Sequence, residues 1–299
     1  MTERPASPRN APSEGPSSFV QFVFAYPDGW VHEGQFKDGK EGQGRLTSPD
    51  GRVYEGQFKD GKPNGEGKDT GPDGVVYEGQ WKNGKREGQG KMTRPDNSFY
   101  EGQWKDSKPD GDGKEFLPDV WVYKGQWKNG KREGQGKLIW PDGRVYQGQF
   151  KDGKFEGQGK MTWPDRWVYD GQFKDGKPDG EGKETGPDGK VWDGQWKNGE
   201  SSKSKGQGKL TLPDGKVYEG WVKDGKLEGQ GKLTSPDGFV YEGQFKDGKY
   251  DGEGKLTSPD GCVYEGQFKG GKNDGQGKLT SPYGLLYEGQ WKNGLPRPV

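Results

Sequence analysis

The stretch that decides the fold runs from residue 240 to residue 264 and reads VYEGQFKDGKYDGEGKLTSPDGCVY. Its Asp247-Gly248 pair lies between two alternating segments, which is the strongest short-range signal for a two-residue β-hairpin turn. Counting outward from this turn predicts three cross-strand pairs: Lys246–Lys249, Gly243–Gly252 and Tyr241–Gly254.

A second turn follows in the same stretch. Pro259-Asp260-Gly261 fits a three-residue loop with glycine in the left-handed conformation. Counting outward from it predicts the pairs Leu256–Tyr264, Lys255–Glu265 and Gly254–Gly266. Both turns place the same residues on the same face, and this agreement is informative because a one-residue slip in either hairpin would exchange the faces.

The two predicted faces differ in chemistry. One face carries rings and glycines, namely Tyr241, Gly243, Phe245, Gly252, Gly254 and Leu256. Glycine normally weakens a strand, but here it leaves room for rings from neighbouring strands to lie across bare backbone. The other face carries Glu, Gln, Lys and Thr, with opposite charges paired across strands, as at Lys232 and Glu242. Exposed pairs contribute at most about 1 kcal/mol each, so we expect the rings to supply most of the stability.

The pattern recurs along the chain. The residue that opens each Tyr-x-Gly-Gln-Phe/Trp motif is called the register residue. The register residues are His32, Tyr54, Tyr77, Tyr100, Tyr123, Tyr146, Tyr169, Trp192, Tyr218, Tyr241, Tyr264 and Tyr287. They are spaced 22 residues apart once, 26 once and 23 at every other step. Twelve repeats at a nearly constant period predict a repeat architecture.

Composition supports the same fold class. Glycine accounts for 58 of 299 residues, hydrophobic residues for 25% and aromatic residues for 13%. So few aliphatic side chains cannot fill the core of an ordinary two-layer domain, whereas a disordered chain would lack the aromatic residues. The sequence therefore predicts an all-β protein, an elongated single-layer antiparallel β-hairpin meander of about twelve repeats and about 24 strands.

Charge, cysteine and histidine exclude several functions. Lys plus Arg equals Asp plus Glu at 47 each, so the basic excess typical of nucleic-acid binders is missing. Cys262 and His32 are the only residues of their types, which argues against a disulfide, a zinc site and a Ser-His-Asp set. The Gly-x-Gly pairs lack the following helix of a dinucleotide site. The sequence predicts a non-enzymatic protein without a cofactor or metal.

Three regions are expected along the chain. Residues 1–18 are rich in Pro and Ser and are predicted to be a disordered tail, and residues 19–299 to form the repeat array. A break is predicted near residues 197–222, because Glu200–Lys205 lengthens one hairpin and Trp221-Val222 replaces the usual Gln-Phe/Trp. By alternation, Trp221 is expected on the polar face.

The repeat resembles the MORN (membrane occupation and recognition nexus) repeat. The resemblance is carried by Tyr-Glu-Gly-Gln-Trp-Lys-Asn-Gly followed by Gly-x-Gly-Lys, as in residues 77–91, and it extends over nearly everything after residue 18. It implies a hairpin-sheet rod used for scaffolding, cytoskeletal assembly and sometimes membrane association. The catalytic domains that accompany the array in some family members are not found in this sequence.

The aromatic face is the candidate binding site. Its rings could serve only as the core of the sheet, but a one-layer sheet is also expected to leave part of the face accessible, and exposed apolar strips mark interaction sites. The predicted partner-binding residues are Tyr100, Trp104, Trp121, Tyr123, Trp127, Tyr146, Phe150, Trp167, Tyr169 and Phe173.

The leading functional hypothesis is a scaffold that binds protein partners along an aromatic trough. The alternative is a membrane-associated tether that recognises anionic phospholipid, although zero net charge argues against a strong electrostatic lipid site. Weak phospholipid contact, a glycan-binding array and self-association at the N-terminal edge strand are further possibilities. No nucleic-acid partner is expected. With no signal-peptide core and no long apolar stretch, the sequence predicts a cytoplasmic protein, in a cytoskeletal or membrane-peripheral setting.

Overall fold

The computed structural model describes residues 20–37, 41–203 and 205–297. The described chain divides into two compact units. Compact unit 1 comprises the described residues up to 118 together with 127–130, and compact unit 2 comprises 119–126 and the described residues from 131 onward. The tail predicted at residues 1–18 lies outside the described residues.

Compact unit 1 is built from short strands that pair in chain order. Its strands are β1 (Val20–Ala25), β2 (Val31–Lys37), β3 (Glu41–Thr47), β4 (Val53–Lys59), β5 (Lys62–Thr70), β6 (Val76–Lys82), β7 (Lys85–Thr93), β8 (Phe99–Lys105) and β9 (Lys108–Leu117). Each strand runs antiparallel to the next, from β1 through β9.

Compact unit 2 continues the pattern, beginning with residues 121–126 of β10 (Trp121–Lys128). Its further strands are β11 (Lys131–Ile139), β12 (Val145–Lys151), β13 (Lys154–Thr162), β14 (Val168–Lys174), β15 (Lys177–Thr185), β16 (Val191–Lys197), β17 (Glu200–Ser201), β18 (Lys205–Thr211), β19 (Val217–Lys223), β20 (Lys226–Thr234), β21 (Val240–Lys246), β22 (Lys249–Thr257), β23 (Val263–Lys269), β24 (Lys272–Ser281), β25 (Gly284–Lys292) and β26 (Leu295–Pro296). Consecutive strands pair antiparallel from β11 to β16 and from β18 to β26, and β16 pairs with both β17 and β18.

The predicted fold class is confirmed as an all-β antiparallel hairpin meander, and the described residues contain no helix. Accordingly, the described part of the chain offers no helix that is long and apolar enough to span a membrane.

Both predicted turn types are confirmed. Asp247 and Gly248 adopt positive φ values of 49° and 81°, as a type I′ turn requires, and Lys246 pairs with Lys249. In the three-residue loop, Gly261 has φ of 85°, and its N–H donates to the carbonyl of Ser258 at 3.0 Å. The pairs predicted from this second loop are all present.

The register predicted beyond the Asp-Gly turn is wrong by two residues. Gly243 pairs with Gly254 rather than Gly252, and Tyr241 pairs with Leu256 rather than Gly254. The physical reason is a β-bulge, in which Gln244 alone lies opposite three residues of β22. A shift of two residues preserves the alternation, so Tyr241 still shares its face with Phe245.

The bulge gives the first glycine of each Gly-x-Gly pair an unexpected role. Gly252 has φ of 97°, and a Cβ there would coincide with the Gln244 Oε1 atom instead of meeting a ring. The amide oxygen of Gln244 accepts a hydrogen bond from the backbone N–H of Glu253 at 3.2 Å. The same bond joins Gln149 to the N–H of Gln158 at 3.1 Å. In the repeats that form this bond, the Gln side chain thus satisfies a backbone N–H of the bulge.

The second glycine of each pair performs the predicted role. A Cβ on Gly254 would lie 2.7 Å from Cε2 of Tyr241, closer than real side chains approach. The Tyr241 ring therefore lies directly over this glycine. Its hydroxyl donates to the carbonyl of Gln244 at 2.9 Å, so a ring with a polar end is buried with its hydrogen bond made.

Candidate functional site

The structure buries eight of the ten predicted site residues. Tyr100, Trp104, Tyr123, Trp127, Tyr146, Phe150, Tyr169 and Phe173 are between 0% and 7% exposed. Trp121 and Trp167 are half-buried. In the structure the eight buried rings form the core, and only the two half-buried tryptophans offer surface to a partner.

Within each compact unit the buried rings meet edge to face. In compact unit 1, Tyr100 contacts Trp104 and Trp127, with both pairs of ring centroids 5.1 Å apart. In compact unit 2, Tyr146 lies 5.2 Å from Phe150 of its own repeat and 5.1 Å from Phe173 of the next repeat. Such T-shaped pairs contribute about 0.5–1.5 kcal/mol beyond the area they bury. These edge-to-face ring contacts explain how the sheet is stabilised with so few aliphatic residues.

A position missed by the sequence analysis covers these rings on the solvent side. It directly follows the Lys that ends each two-residue turn, and its occupants are here called cover residues. Phe155 stacks on Tyr146 with centroids 3.9 Å apart, and Tyr250 stacks on Tyr241 at 3.8 Å. Arg86 lies 5.1 Å above the Tyr77 ring. The position varies between Pro, Arg, Phe, Leu, Tyr and Asn among constant neighbours, which is the signal that could have identified it.

Accessible aromatic surface in compact unit 2 is concentrated at the three-residue turns. The half-buried residues Trp121, Trp140, Trp163 and Trp167 lie at or beside these turns and are here called the Trp edge. Three of them carry a cation over the ring: Arg132 over Trp121 at 4.7 Å, Arg144 over Trp140 at 5.1 Å and Lys203 over Trp167 at 4.9 Å. The Trp edge therefore presents aromatic rings together with positive charges.

Three acidic residues, Asp69, Glu115 and Glu184, occupy the position that Leu or Met holds on the aromatic face of most repeats. Asp69 is 5% exposed and lies 3.8 Å from Arg86 and 3.9 Å from Arg52. Burial raises the pKa of the Asp69 carboxyl, although both guanidinium groups act in the opposite direction. In compact unit 2, Glu184 forms an ion pair with Lys203. Asp69 and Glu184 are thus paired with cations of this chain.

The buried tyrosines act as neutral donors. Removal from water raises the pKa of Tyr169, Tyr218 and Tyr264 to about 12. Each hydroxyl donates to the carbonyl three residues further along, as from Tyr169 to Gln172 at 2.9 Å. Their role is structural rather than catalytic. Across the described residues, no group of three or more His, Cys, Asp or Glu side chains could hold a metal ion.

The region of the predicted break departs from the other repeats in the way that alternation predicts. Trp221 occupies the usual Gln position and is 49% exposed, whereas Val222 occupies the usual Phe/Trp position and is buried. The bulge beside it therefore has no Gln amide oxygen to accept a hydrogen bond from its backbone. Where other repeats place that oxygen next to the first glycine of the pair, Gly229 has only Cβ of Trp221 nearby, 3.8 Å from the position of a Cβ.

Together these features define an all-β hairpin-repeat protein of the interaction class. A family model described as the MORN repeat matches residues 32–51, 54–76, 77–99, 100–119, 123–143, 146–168, 169–191, 192–217, 218–240, 241–263, 264–284 and 287–297. The chain belongs to the MORN repeat family.

Three matching solved structures are distantly similar to this chain. The TCP domain of SAS-4 (dCPAP) from Drosophila melanogaster, in complex with a proline-rich motif of Ana2 (dSTIL), is 12% identical, with 81% of this chain and 99% of that chain covered and a TM-score of 0.23. The G-box domain of the microcephaly protein CPAP is 16% identical over 90% and 99%, with a TM-score of 0.12. A streptogramin B lyase is 14% identical over 93% and 85%, with a TM-score of 0.14. A search of curated proteins finds no match.

Proposed function

We propose that this chain is a non-enzymatic scaffold that binds protein partners through its aromatic face. The observation that carries the proposal is the Trp edge together with the cover residues, because these side chains are the part of the face that a partner can reach. Tryptophan, tyrosine and arginine are also the residues that most often anchor protein interfaces. The buried register rings hold this surface in place.

The anchoring surface is best developed around Trp140 and Phe155. Their ring centroids are 6.0 Å apart in an edge-to-face arrangement, and Arg144 lies over the Trp140 ring. Both rings are half-buried, so they are rigidly supported and still partly exposed. A partner that covers them would gain apolar contact area with little loss of side-chain freedom.

The proposal is tested by partner capture with the full chain. The chain would be cross-linked in cell extract, and the captured proteins would be identified by mass spectrometry for the wild type and for Trp140→Ala. Loss of specific partners from Trp140→Ala is expected, because truncating an interface anchor typically costs about 2 kcal/mol or more. The matched control is Lys151→Ala, an exposed residue on the polar face. Loss with the control and retention with Trp140→Ala would contradict the proposal.

The alternative proposal, recognition of anionic phospholipid, is less well supported by the charges on the polar face. Lys232 lies 2.6 Å from Glu242, and Lys255 lies 2.8 Å from Glu265, so these lysines are paired with carboxylates. Sedimentation with phosphatidylserine vesicles over a salt series separates the two functions. Strong binding that weakens steeply with salt would favour the lipid function.

A further inference from the structure

Two neighbouring clefts open on the aromatic face of compact unit 2, and Trp167 and Glu184 line both of them. The larger, of about 710 Å³, is also lined by Val222, which holds the position that a ring fills in other repeats. The smaller, of about 430 Å³, is within the size range of small-ligand sites, about 300–1,000 Å³. Its walls are mainly aromatic and include Trp163, Trp167, Tyr169 and Trp196.

The smaller cleft is a space that a side chain fills in the preceding repeat. There Phe155 covers Tyr146 and meets Trp140 edge to face, with ring centroids 6.0 Å apart. The equivalent cover residue in the next repeat is Pro178, which lines the smaller cleft together with Trp163. The turns of the two repeats close with the same pair of backbone hydrogen bonds. The smaller side chain of Pro178 therefore leaves this volume open.

The preceding repeat also supplies a cation to its turn tryptophan. The guanidinium group of Arg144 lies 5.1 Å from the centre of the Trp140 ring. In the next repeat Trp167 takes the place of that arginine, so the turn that carries Trp163 has a second ring where the preceding turn has a cation. A ligand with apolar bulk and a positive charge would supply what the preceding repeat provides from its own side chains.

The charges around the smaller cleft favour a cation. Its described lining residues include the carboxylates of Asp165 and Glu184 and no Lys or Arg. Arg166, at the tip of the same turn, is exposed and does not line the cleft. In the larger cleft, Lys203 pairs with Glu184 and lies 4.9 Å from the centre of the Trp167 ring. The chain thus already holds one ammonium group against the wall that the two clefts share, at a distance typical of cation–π attraction.

The walls of the smaller cleft favour an ammonium group without N–H bonds. The Tyr169 hydroxyl already donates to the carbonyl of Gln172 at 2.9 Å, and indole N–H groups donate but do not accept. The Glu184 carboxylate is paired with Lys203, and Asp165 lies exposed at the turn. A primary ammonium group would give up hydrogen bonds to water with few acceptors to replace them, whereas a trimethylammonium group has no N–H to satisfy.

We propose that the smaller cleft is an aromatic cage that binds the trimethylammonium group of a methylated lysine in a protein partner. Aromatic rings arranged around a cavity recognise quaternary ammonium groups through cation–π attraction. The alkyl stem of lysine is uncharged, so it suits this lining. A phosphocholine headgroup would instead bring a phosphate close to Asp165 and Glu184, with no basic lining residue to pair with it. The proposal rests on the function proposed above, because it names the group that a protein partner would insert.

The test titrates a capped trimethyllysine, with an acetylated amino group and a methylamide, into the full chain. Binding is followed by the N-methyl signal in proton NMR. Two matched ligands are compared with it: the unmodified capped lysine, and a neutral isostere in which carbon replaces the ammonium nitrogen. Capped trimethyllysine is expected to bind at least about tenfold more tightly than either. The isostere keeps the shape without the charge, and the unmodified lysine keeps the charge with N–H groups that need acceptors.

Substitutions locate the binding in the smaller cleft. Pro178→Phe adds the cover ring that Phe155 provides in the preceding repeat, so the chain should stay folded by circular dichroism while affinity for capped trimethyllysine falls at least about tenfold. Pro63→Phe makes the same change at a cover position of compact unit 1 and should alter affinity less than about threefold. Trp163→Ala removes a wall of the cleft and should weaken binding about tenfold, which keeps the test decisive if Pro178→Phe fails to fold.

Several results would overturn the inference. They are no detectable binding of capped trimethyllysine, equal binding of the neutral isostere, unchanged affinity in folded Pro178→Phe or in Trp163→Ala, and an equal loss in Pro63→Phe. Tighter binding of phosphocholine than of capped trimethyllysine would overturn it in favour of a lipid headgroup. Failure of the scaffold function would appear separately, as unchanged partner capture by Trp140→Ala, a variant that none of these titrations uses.

Discussion

The repeats that begin at Tyr146 and Trp192 are both antiparallel hairpins, but they differ in loop length and in what fills their aromatic face. Tyr146 lies between Gly159 beneath it and Phe155 above it, and its hydroxyl donates to the carbonyl of Gln149 at 2.8 Å. Trp192 has an unpartnered Nε1 and Val222 beside it in place of a ring. The same scaffold therefore gives a closed core where the rings are complete and an open cleft where one is missing.

The largest difference in stability between the two repeats is expected when alanine replaces the glycine two residues after the register residue. A Cβ on Gly148 would lie 2.6 Å from the carbonyl oxygen of Gln158, a backbone atom that cannot move away. At Gly194 the nearest atoms are Nε1 of Trp192 at 2.8 Å and Oγ of Ser202 at 2.9 Å, in side chains with more freedom. Gly148→Ala should destabilise the protein by about 3 kcal/mol or more, and Gly194→Ala by clearly less, in urea unfolding. Equal losses would mean that the two repeats are packed alike.

Placing a ring at position 222, where other repeats have one, is expected to change the free energy of unfolding by a smaller amount and with the opposite sign. Val222→Phe adds the ring that contacts the register residues in other repeats, so it should raise the free energy of unfolding by about 1 kcal/mol. Phe150→Val makes the reverse change in the closed repeat and should lower it by about 2 kcal/mol, since it creates a cavity. Thermal unfolding of both variants checks the pair. Destabilisation by Val222→Phe would show that the cleft is too narrow to accept a ring.

The Gln side chains that accept a hydrogen bond from the bulge allow a further comparison of stability. The expected effects on the free energy of unfolding are about 1 kcal/mol. Gln149→Ala removes the acceptor for the N–H of Gln158 and should cost about that much. Trp221→Gln installs the missing cap in the repeat that contains Val222, and should stabilise the protein by a similar or smaller amount. Chemical denaturation measures both variants. No change for Gln149→Ala would mean that water replaces the amide oxygen at no cost.

Alkaline pH should destabilise the repeats whose register residue is a buried tyrosine. Trp192 should not contribute, because its indole does not titrate. Burial raises the pKa of Tyr169 in the folded state to about 12, above the value near 10 of an unfolded tyrosine. The neutral hydroxyl therefore contributes stability that is complete below pH 10 and is lost as the pH rises from about 10 to about 12. Unfolding should begin in this window, when tyrosinate absorbance and circular dichroism are recorded together. Ionisation near pH 10 without loss of structure would show that the rings are accessible.

Much of this fold could be predicted from sequence because its signals are local. Asp247-Gly248 and Gly261 fix the turn types, and the alternation fixes which residues share a face. The bulge could not be found in this way, because a shift of two residues leaves that alternation unchanged. It depends instead on the side chain of Gln244 reaching across to the N–H of Glu253.

The candidate site was predicted less completely, for a related reason. Tyr146 and Phe150 were identified correctly as residues of the aromatic face, but alternation does not show which residues of that face are covered. The stacking of Phe155 on Tyr146 depends on how the bulged strand folds back over the ring. The difference between Val222 and the rings of other repeats is visible in the sequence, whereas the cleft it opens requires the packed structure.

The measurement that tests the central claim most directly is native-state hydrogen exchange of the full chain, read by mass spectrometry. It compares residues 145–162, where the aromatic face is closed, with residues 191–223, where it is open. The account predicts that amides of the closed segment exchange only through global unfolding, while those of the open segment exchange sooner by local opening. Limited proteolysis should then cut at Lys203 or Lys205 before any other site outside the N-terminal tail. Equal protection of the two segments would contradict the claim that ring coverage decides which repeats form core and which form a cleft.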